Sequence, residues 1–159
     1  YTAEELSFAD SLAGTYPGSD RVPGVGSQYD MDYAADAQAK RAQAGHAMNG
    51  FLLPLYQGDA FQPGSTDVGD VSWQCPTAQI HVATWPNGCP GHSWQNVSCG
   101  RTDIGHKGAV HAGKVLAAAA IDLLTDPALL EEAKAEFRRR TAAGYTCPIP
   151  ADAVPTIAD

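Results

Sequence analysis

Apolar residues recur at helical spacing over residues 106–124, which is the clearest pattern in the chain. The apolar stripe is broad and contains small alanines, which allow a helix to lie close to a neighbouring layer. We therefore predict a core helix over these residues. Its inward positions are Ala112, Val115, Leu116, Ala119, Ala120, Leu123 and Leu124.

Capping residues predict two further helices. Thr2 and Glu5 match a capping box, and the helix that they begin should run to about Ala13, before Gly14. Asp126 and Pro127 are typical of an N-cap and a first helical residue. The helix that follows has its arginines in the last turn, where cations complement the helix dipole, so they indicate a helix end rather than an anion site. They are Arg138, Arg139 and Arg140.

Two short segments, residues 68–73 and 77–84, are predicted to be strands. In the second, apolar and polar residues alternate, so one face is more apolar than the other. Residues 51–56 are apolar as well, but Pro54 cannot donate to a ladder and limits them to a sheet edge. The predicted fold class is α/β, with a small sheet packed against two or three helices. Residues 16–50 are predicted to be irregular loop, with a short helix inside residues 33–44.

Composition narrows the class of protein. A chain of 159 residues that is 44% hydrophobic can build a sizeable core, which favours one domain. Its formal net charge of -8 argues against electrostatic binding of nucleic acid. The longest apolar run, residues 115–121, is too short to cross a bilayer, and the N-terminal residues do not have the pattern of a leader. We therefore expect no membrane partner and a cytoplasmic location.

The four cysteines leave two hypotheses open. Their even number fits two disulfides in a secreted domain, but their spacing is irregular and a core of this size does not need them. Free and mostly buried thiols are the favoured interpretation. A zinc knuckle is disfavoured, because Cys89 and His92 have no second ligand pair at a matching distance.

Candidate chemistry centres on a loop histidine and two acidic residues. His92 follows the predicted strand at 77–84, but a single loop histidine is more often a surface residue than a metal ligand. Asp67 and Asp70 would point to opposite faces of a strand, so they do not form an acid and base pair. Asp67 could instead cap a turn. His106 and His111 are five residues apart and do not share a helix face, so both should be structural or exposed.

Four sequence blocks resemble the C-terminal part of the amidohydrolases of peptidase family M20. They lie in order between about residues 60 and 157, whereas residues 16–50 match no pattern of that family. The blocks are Gly64 to Trp73, Gly91-His92-Ser93-Trp94-Gln95, Ile104-Gly105-His106-Lys107-Gly108, and Cys147-Pro148-Ile149-Pro150-Ala151-Asp152 followed by Val154-Pro155.

The resemblance implies a hydrolase of amide bonds in N-acyl amino acids such as p-aminobenzoyl-glutamate, with two divalent metal ions, zinc or manganese. His92, followed by Ser93, stands where the family has a metal-ligating histidine near its C-terminus. Asp67, Asp70 and Ser93 would lie close to that site as ordering or supporting residues. The full-length protein is expected to be a homo-oligomer.

The resemblance also implies that residues 1–159 are the C-terminal segment of a catalytic domain. The other metal ligands, the general base and the lid domain would belong to a preceding N-terminal part, which is the expected partner of this chain. One histidine cannot make a metal site, so the chain alone should be inactive and hold no metal tightly. The alternative hypothesis is a binding or structural domain that keeps the fold without catalysis.

Overall fold

The computed structural model describes residues 1–20, 31–53 and 66–154. These residues contain α-helices and no β-strand. The helices are α1 (Ala3–Ala13), α2 (Met31–Gln43), α3 (Val68–Ser72), α4 (Trp94–Gly100), α5 (Asp103–Thr125) and α6 (Pro127–Arg140). The prediction of an α/β fold with a small sheet is therefore wrong for the described part of the chain.

Local hydrogen bonding explains why residues 68–73 form a helix instead of a strand. The Val71 N–H donates to the Asp67 carbonyl, 3.1 Å away, and the Ser72 hydroxyl donates to the Gly69 carbonyl, 2.6 Å away. A helix satisfies its backbone groups within the segment, whereas a strand needs a neighbouring strand.

Residues 77–84 have no regular secondary structure. The Ala83 carbonyl accepts from the Tyr1 hydroxyl, 3.2 Å away, and the backbone at Ala83 packs against Gly108 of α5. This segment thus uses a side chain and a helix surface where the predicted strand would have used a ladder. In the apolar segment at 51–56, residues 51–53 are not a strand either, and 54–56 lie outside the described residues.

The capping predictions are confirmed. Thr2 and Glu5 form a reciprocal capping box, with the Thr2 N–H donating to the Glu5 carboxylate over 2.7 Å, and α1 ends before Gly14. Asp126 caps α6 by accepting from two backbone N–H groups, and Pro127 is the first helical residue. α2 corresponds to the short helix predicted inside residues 33–44 and begins two residues earlier.

The described residues fall into two units, and α5 passes from the first into the second. The first unit comprises residues 1–63 and 80–116, and the second comprises residues 64–79 and 117–159. In the first unit, Ala9, Met48 and Ile104 form one buried cluster. Ala13, Tyr16 and Ala47 form another. This small core lies between α1, the start of α5 and the loops that follow α2.

The prediction of a core helix at 106–124 is correct for the helix and wrong for its burial. α5 runs from Asp103 to Thr125, but its buried residues are Ile104 and Gly108, near its start. The predicted inward positions from Val115 to Leu124 are exposed. The physical reason is that residues 68–73 and 77–84, which were expected to cover them as strands of a sheet, do not form strands. By length and composition α5 would also suit a membrane span, a property that core helices share.

Two glycines of α5 provide a test of its packing. A Cβ on Gly108 would lie 2.8 Å from the Ala83 carbonyl oxygen and 2.5 Å from the Thr84 methyl carbon. We expect Gly108→Ala to lower the free energy of unfolding by about 1–3 kcal/mol, because the segment at 83–84 must move away. Urea denaturation followed by circular dichroism measures this change.

Gly113 is the matched control, because nothing lies within 4 Å of a Cβ at that position. Gly113→Ala should raise the free energy of unfolding by up to about 1 kcal/mol through helix propensity alone. If both variants were stabilised, the close contact between α5 and residues 83–84 would be refuted.

Candidate functional site

Asn87 holds the loop that leads to His92. It is 5% exposed, and both its backbone and its side chain are engaged. Its N–H donates to the Ala47 carbonyl over 2.8 Å, and its carbonyl accepts from the Tyr16 hydroxyl over 2.9 Å. Its side-chain amide accepts from Asn49 and donates to the Ser19 carbonyl, both over 2.9 Å. One residue therefore ties together three segments of the first unit.

Gly88 brings the same loop against a second backbone. Its φ of 68° lies in the left-handed region, and a Cβ there would lie 2.1 Å from the Gly18 carbonyl oxygen. Only glycine meets both requirements without displacing the neighbouring loop. Sequence reasoning missed Asn87 and Tyr16 as supporting residues. The dipeptide Asn87-Gly88, a strong turn signal, was the local indication of a tight loop.

His92 lies exposed at the end of this loop with a φ of 53°. A left-handed backbone is uncommon for a residue other than glycine, and it persists where the surroundings fix the conformation. Here the fixed surroundings are the Asn87 hydrogen bonds on one side and α4 on the other. The imidazole is thus presented to solvent from an anchored backbone.

Ser93 is the N-cap of α4. Its hydroxyl accepts from the Asn96 N–H over 3.2 Å and donates to the Pro90 carbonyl over 2.7 Å. Gln95, which is buried, donates to the Thr15 hydroxyl over 3.2 Å. These contacts attach α4 to the end of α1 and set the position of the residue before it, which is His92.

Asp67 and Asp70 belong to the second unit, whereas His92 and Ser93 belong to the first. Asp67 is the N-cap residue of α3 but makes no side-chain cap hydrogen bond. The Asp70 carboxylate accepts from the Tyr145 hydroxyl, and this bond raises the pKa of Tyr145 above its ordinary value. Tyr145 also stacks on Trp73, with ring centroids 5.4 Å apart. A supporting role for these acids near a metal stays a prediction.

Histidine is a good metal ligand, but His92 is one donor. Within residues 1–20, 31–53 and 66–154, no three His, Cys, Asp or Glu side chains converge in a way that could hold a metal ion. His81, His106 and His111 are exposed, as expected for the two histidines of α5. The Nδ1 atom of His46 is buried without a hydrogen-bond partner among the described protein atoms. The described residues thus do not compose a metal site by themselves.

The cysteines are four free thiols in different environments. Cys99 is buried and Cys89 is half-buried, whereas Cys75 and Cys147 are exposed, so the prediction of mostly buried thiols is correct for only part of the set. Burial raises the pKa of both the Cys89 and the Cys99 thiol. The thiolate, which is the nucleophile, is therefore disfavoured at these two positions.

Comparison with known proteins relates the chain to a hydrolase subunit. A p-aminobenzoyl-glutamate hydrolase subunit of Escherichia coli (strain K12) is 34% identical to the chain over 163 aligned positions, which cover 98% of this chain and 33% of that protein. The chain is a relative of that hydrolase subunit. The chain spans about a third of the relative's length. No protein-family model matches the chain, and no solved structure matches it.

The identity supports the relation to a p-aminobenzoyl-glutamate hydrolase that the blocks within residues 60–157 implied, and it extends the similarity over nearly the whole chain, including residues 16–50. The tyrosine and asparagine that hold the loop before His92 therefore lie inside the aligned region. Membership of peptidase family M20 is not tested by this comparison and stays a prediction.

Tyr16 gives a first test of the anchored loop. Tyr16→Phe removes the hydroxyl that donates to the Asn87 carbonyl, and we expect the free energy of unfolding at neutral pH to fall by about 1 kcal/mol. Burial raises the pKa of Tyr16 to about 12, so the native state favours the neutral phenol. This contribution is complete below the unfolded pKa of about 10 and is lost as the pH rises through the folded value.

Between these two pH values, stability should therefore fall less steeply in Tyr16→Phe than in the unmodified chain. Urea denaturation across this range measures the difference. Tyr1→Phe is the control, because its hydrogen bond to Ala83 is exposed and should contribute less. Equal effects of the two changes would show that the hydrogen bond to Asn87 contributes no more to the free energy of unfolding than the exposed one to Ala83.

Thiol labelling tests the environments of the cysteines. In the native chain without reductant, Ellman's reagent should label the exposed Cys75 and Cys147 rapidly, the half-buried Cys89 more slowly, and the buried Cys99 only on unfolding, because access to the thiol falls in that order. Cys99→Ala should remove the slowest phase alone. Fewer than four reactive thiols in denaturant would support the disulfide hypothesis instead.

Proposed function

We propose that this chain is the C-terminal part of a metal-dependent amidohydrolase that cleaves the amide bond of an N-acyl amino acid such as p-aminobenzoyl-glutamate. The observation that carries the proposal is the 34% identity, over 98% of the chain, to a protein named as a subunit of p-aminobenzoyl-glutamate hydrolase. In this proposal the substrate is a small molecule, the enzyme acts in the cytoplasm, and it assembles from several subunits. The name of the relative as a hydrolase subunit supports the first and the last of these.

His92 is the residue of this chain that we propose to bind metal. Its support is physical: an exposed imidazole on a left-handed backbone, at the end of a loop held by Asn87 and closed by the Ser93 cap. Metal sites need donors whose orientation is fixed by surrounding contacts. The other donors would come from polypeptide that precedes this chain in the whole enzyme.

The other residues of the loop have a positioning function in this proposal. Asn87 and Gly88 keep the loop against residues 16–19, and Ser93 sets the start of α4. None of them needs to touch substrate to affect activity. A metal in the completed site would act as a Lewis acid toward the scissile carbonyl.

The test is a substitution of His92 in the protein encoded by the full reading frame. His92→Asn is preferred to alanine, because asparagine tolerates a left-handed backbone and the loop should keep its conformation. We expect kcat/KM for p-aminobenzoyl-glutamate to fall by at least about 100-fold, with less metal bound per polypeptide by elemental analysis. His81→Asn, at an exposed position, is the matched control and should behave like the unmodified protein.

The 159-residue chain alone, supplied with zinc or manganese, should have no activity in the same assay, because it contributes a single donor. Unchanged metal content and activity in His92→Asn would remove His92 from the site. If the full protein hydrolysed no N-acyl amino acid, the catalytic proposal would fail and a binding or structural role would replace it.

A further inference from the structure

The second unit has no buried side chain among its described residues. Its most sheltered apolar residues on α6, namely Leu130, Ala133 and Phe137, are only half-buried. The structure gives α6 regular capping and ion pairs, such as Arg140 with Glu136 at 2.7 Å, but exposed pairs of this kind stabilise little. Burial of apolar surface is the main stabilising force of a fold, and this unit lacks most of that stabilisation.

The C-terminal part of α5, residues 117–125, is apolar almost all round. Successive helical residues are about 100° apart, so its alanines together with Ile121, Leu123 and Leu124 surround the axis, and Asp122 with Thr125 marks one narrow polar side. Leu124 is 84% exposed and Ile121 is 60% exposed. A helix that is hydrophobic on all sides is typical of the interior of a larger fold.

We propose that the apolar side chains of residues 117–124, which we call the distal surface of α5, dock against the part of the hydrolase polypeptide that this chain does not contain. The inference rests on the proposed function, since it assumes that the chain is a segment of that enzyme. The relative is about three times as long as the region that aligns, so an enzyme of similar length would have ample polypeptide to cover the helix on more than one side. The expected cover is apolar and close-fitting, because alanines permit a near approach.

A second copy of the chain is a poorer occupant. Two helices that meet across a two-fold axis bury one stripe of each, and the opposite side of each helix stays in water. Ile121 and Leu123 point to opposite sides of the axis, as expected for positions about 200° apart, and both are exposed. A symmetric helix pair would therefore leave one of them uncovered.

A bilayer is a poorer occupant as well. The N-terminal part of α5 is engaged with protein, since Lys107 pairs with Glu5 at 2.6 Å and Gly108 packs on the backbone at Ala83. The exposed apolar stripe that begins at Val115 and runs to the end of α5 is about 16 Å long at about 1.5 Å per residue, about half of the hydrocarbon thickness of about 30 Å. Asp122 would also place a charge inside that short segment.

Hydrogen exchange followed by mass spectrometry tests the proposal. The 159-residue chain and the protein encoded by the full reading frame are compared at the peptide containing residues 117–125. We expect exchange to slow by on the order of 100-fold in the longer protein, because the helix is then buried and opens rarely. Hydrolytic activity is measured separately, so loss of the proposed function and loss of the proposed contact give different results.

A substitution of Leu124 is the second test of the proposed docking. Leu124→Glu should cost the isolated chain little, since the residue is exposed there, but should abolish the protection and the soluble yield of the longer protein. Thr125→Glu, on the polar side of the helix, is the matched control and should preserve both.

Several outcomes would overturn the proposal. They are unchanged exchange in the longer protein, tolerance of Leu124→Glu there, or a reading frame that encodes no further polypeptide. Protection that depends on the concentration of the isolated chain would identify a second copy as the occupant. Protection by vesicles of phosphatidylcholine and phosphatidylglycerol would identify a bilayer.

Discussion

The hydrogen bonding of Asn87 is the constraint on which the first unit depends. The residue joins its own loop to residues 16–19 and to residues 47–49, so segments far apart in the chain meet at one side chain. The exposed fraction of only 5% means that water cannot replace these partners easily. A buried amide left without partners costs about 1–3 kcal/mol, and the hydrophobic clusters beside it are small. The loop arrangement is consequently determined by polar contacts as much as by apolar burial.

The same constraint explains how His92 keeps an uncommon backbone conformation. The loop is fixed before the histidine by Asn87 and Gly88, and after it by the cap of α4 at Ser93. A left-handed backbone costs free energy at a residue other than glycine, so the stabilisation from these contacts has to offset that cost. Side chains on loops carry function when a rigid scaffold positions them, and here the scaffold is a set of hydrogen bonds rather than a sheet. The physical case for His92 as a functional residue rests on this arrangement.

How well sequence predicts this structure depends on the range of the interactions involved. The caps at Thr2 and Asp126 were predictable, because donor and acceptor lie within three residues of each other. The absence of strands at 68–73 and 77–84 was not predictable, because alternation over a few residues does not show whether a pairing partner exists. The role of Asn87 was also hidden, since Tyr16 is 71 positions away in sequence. For the site, the loop and its histidine were visible in the sequence, whereas the residues that hold the loop were not.

For α5, the prediction of a helix was correct and the prediction that its apolar stripe is buried was wrong. Periodicity in a sequence reports that a surface needs to be buried, but it does not say which polypeptide buries it. The stripe from Val115 to Leu124 has the composition of a protein interior and the exposure of a surface. Helix propensity and the Asp126 cap can maintain the helices of the second unit locally, but they cannot replace a core. The composition and the exposure of the stripe are consistent with each other if the polypeptide that covers it belongs to a longer protein. The relative is about three times as long as the aligned region, which makes such a protein the first place to look for that cover.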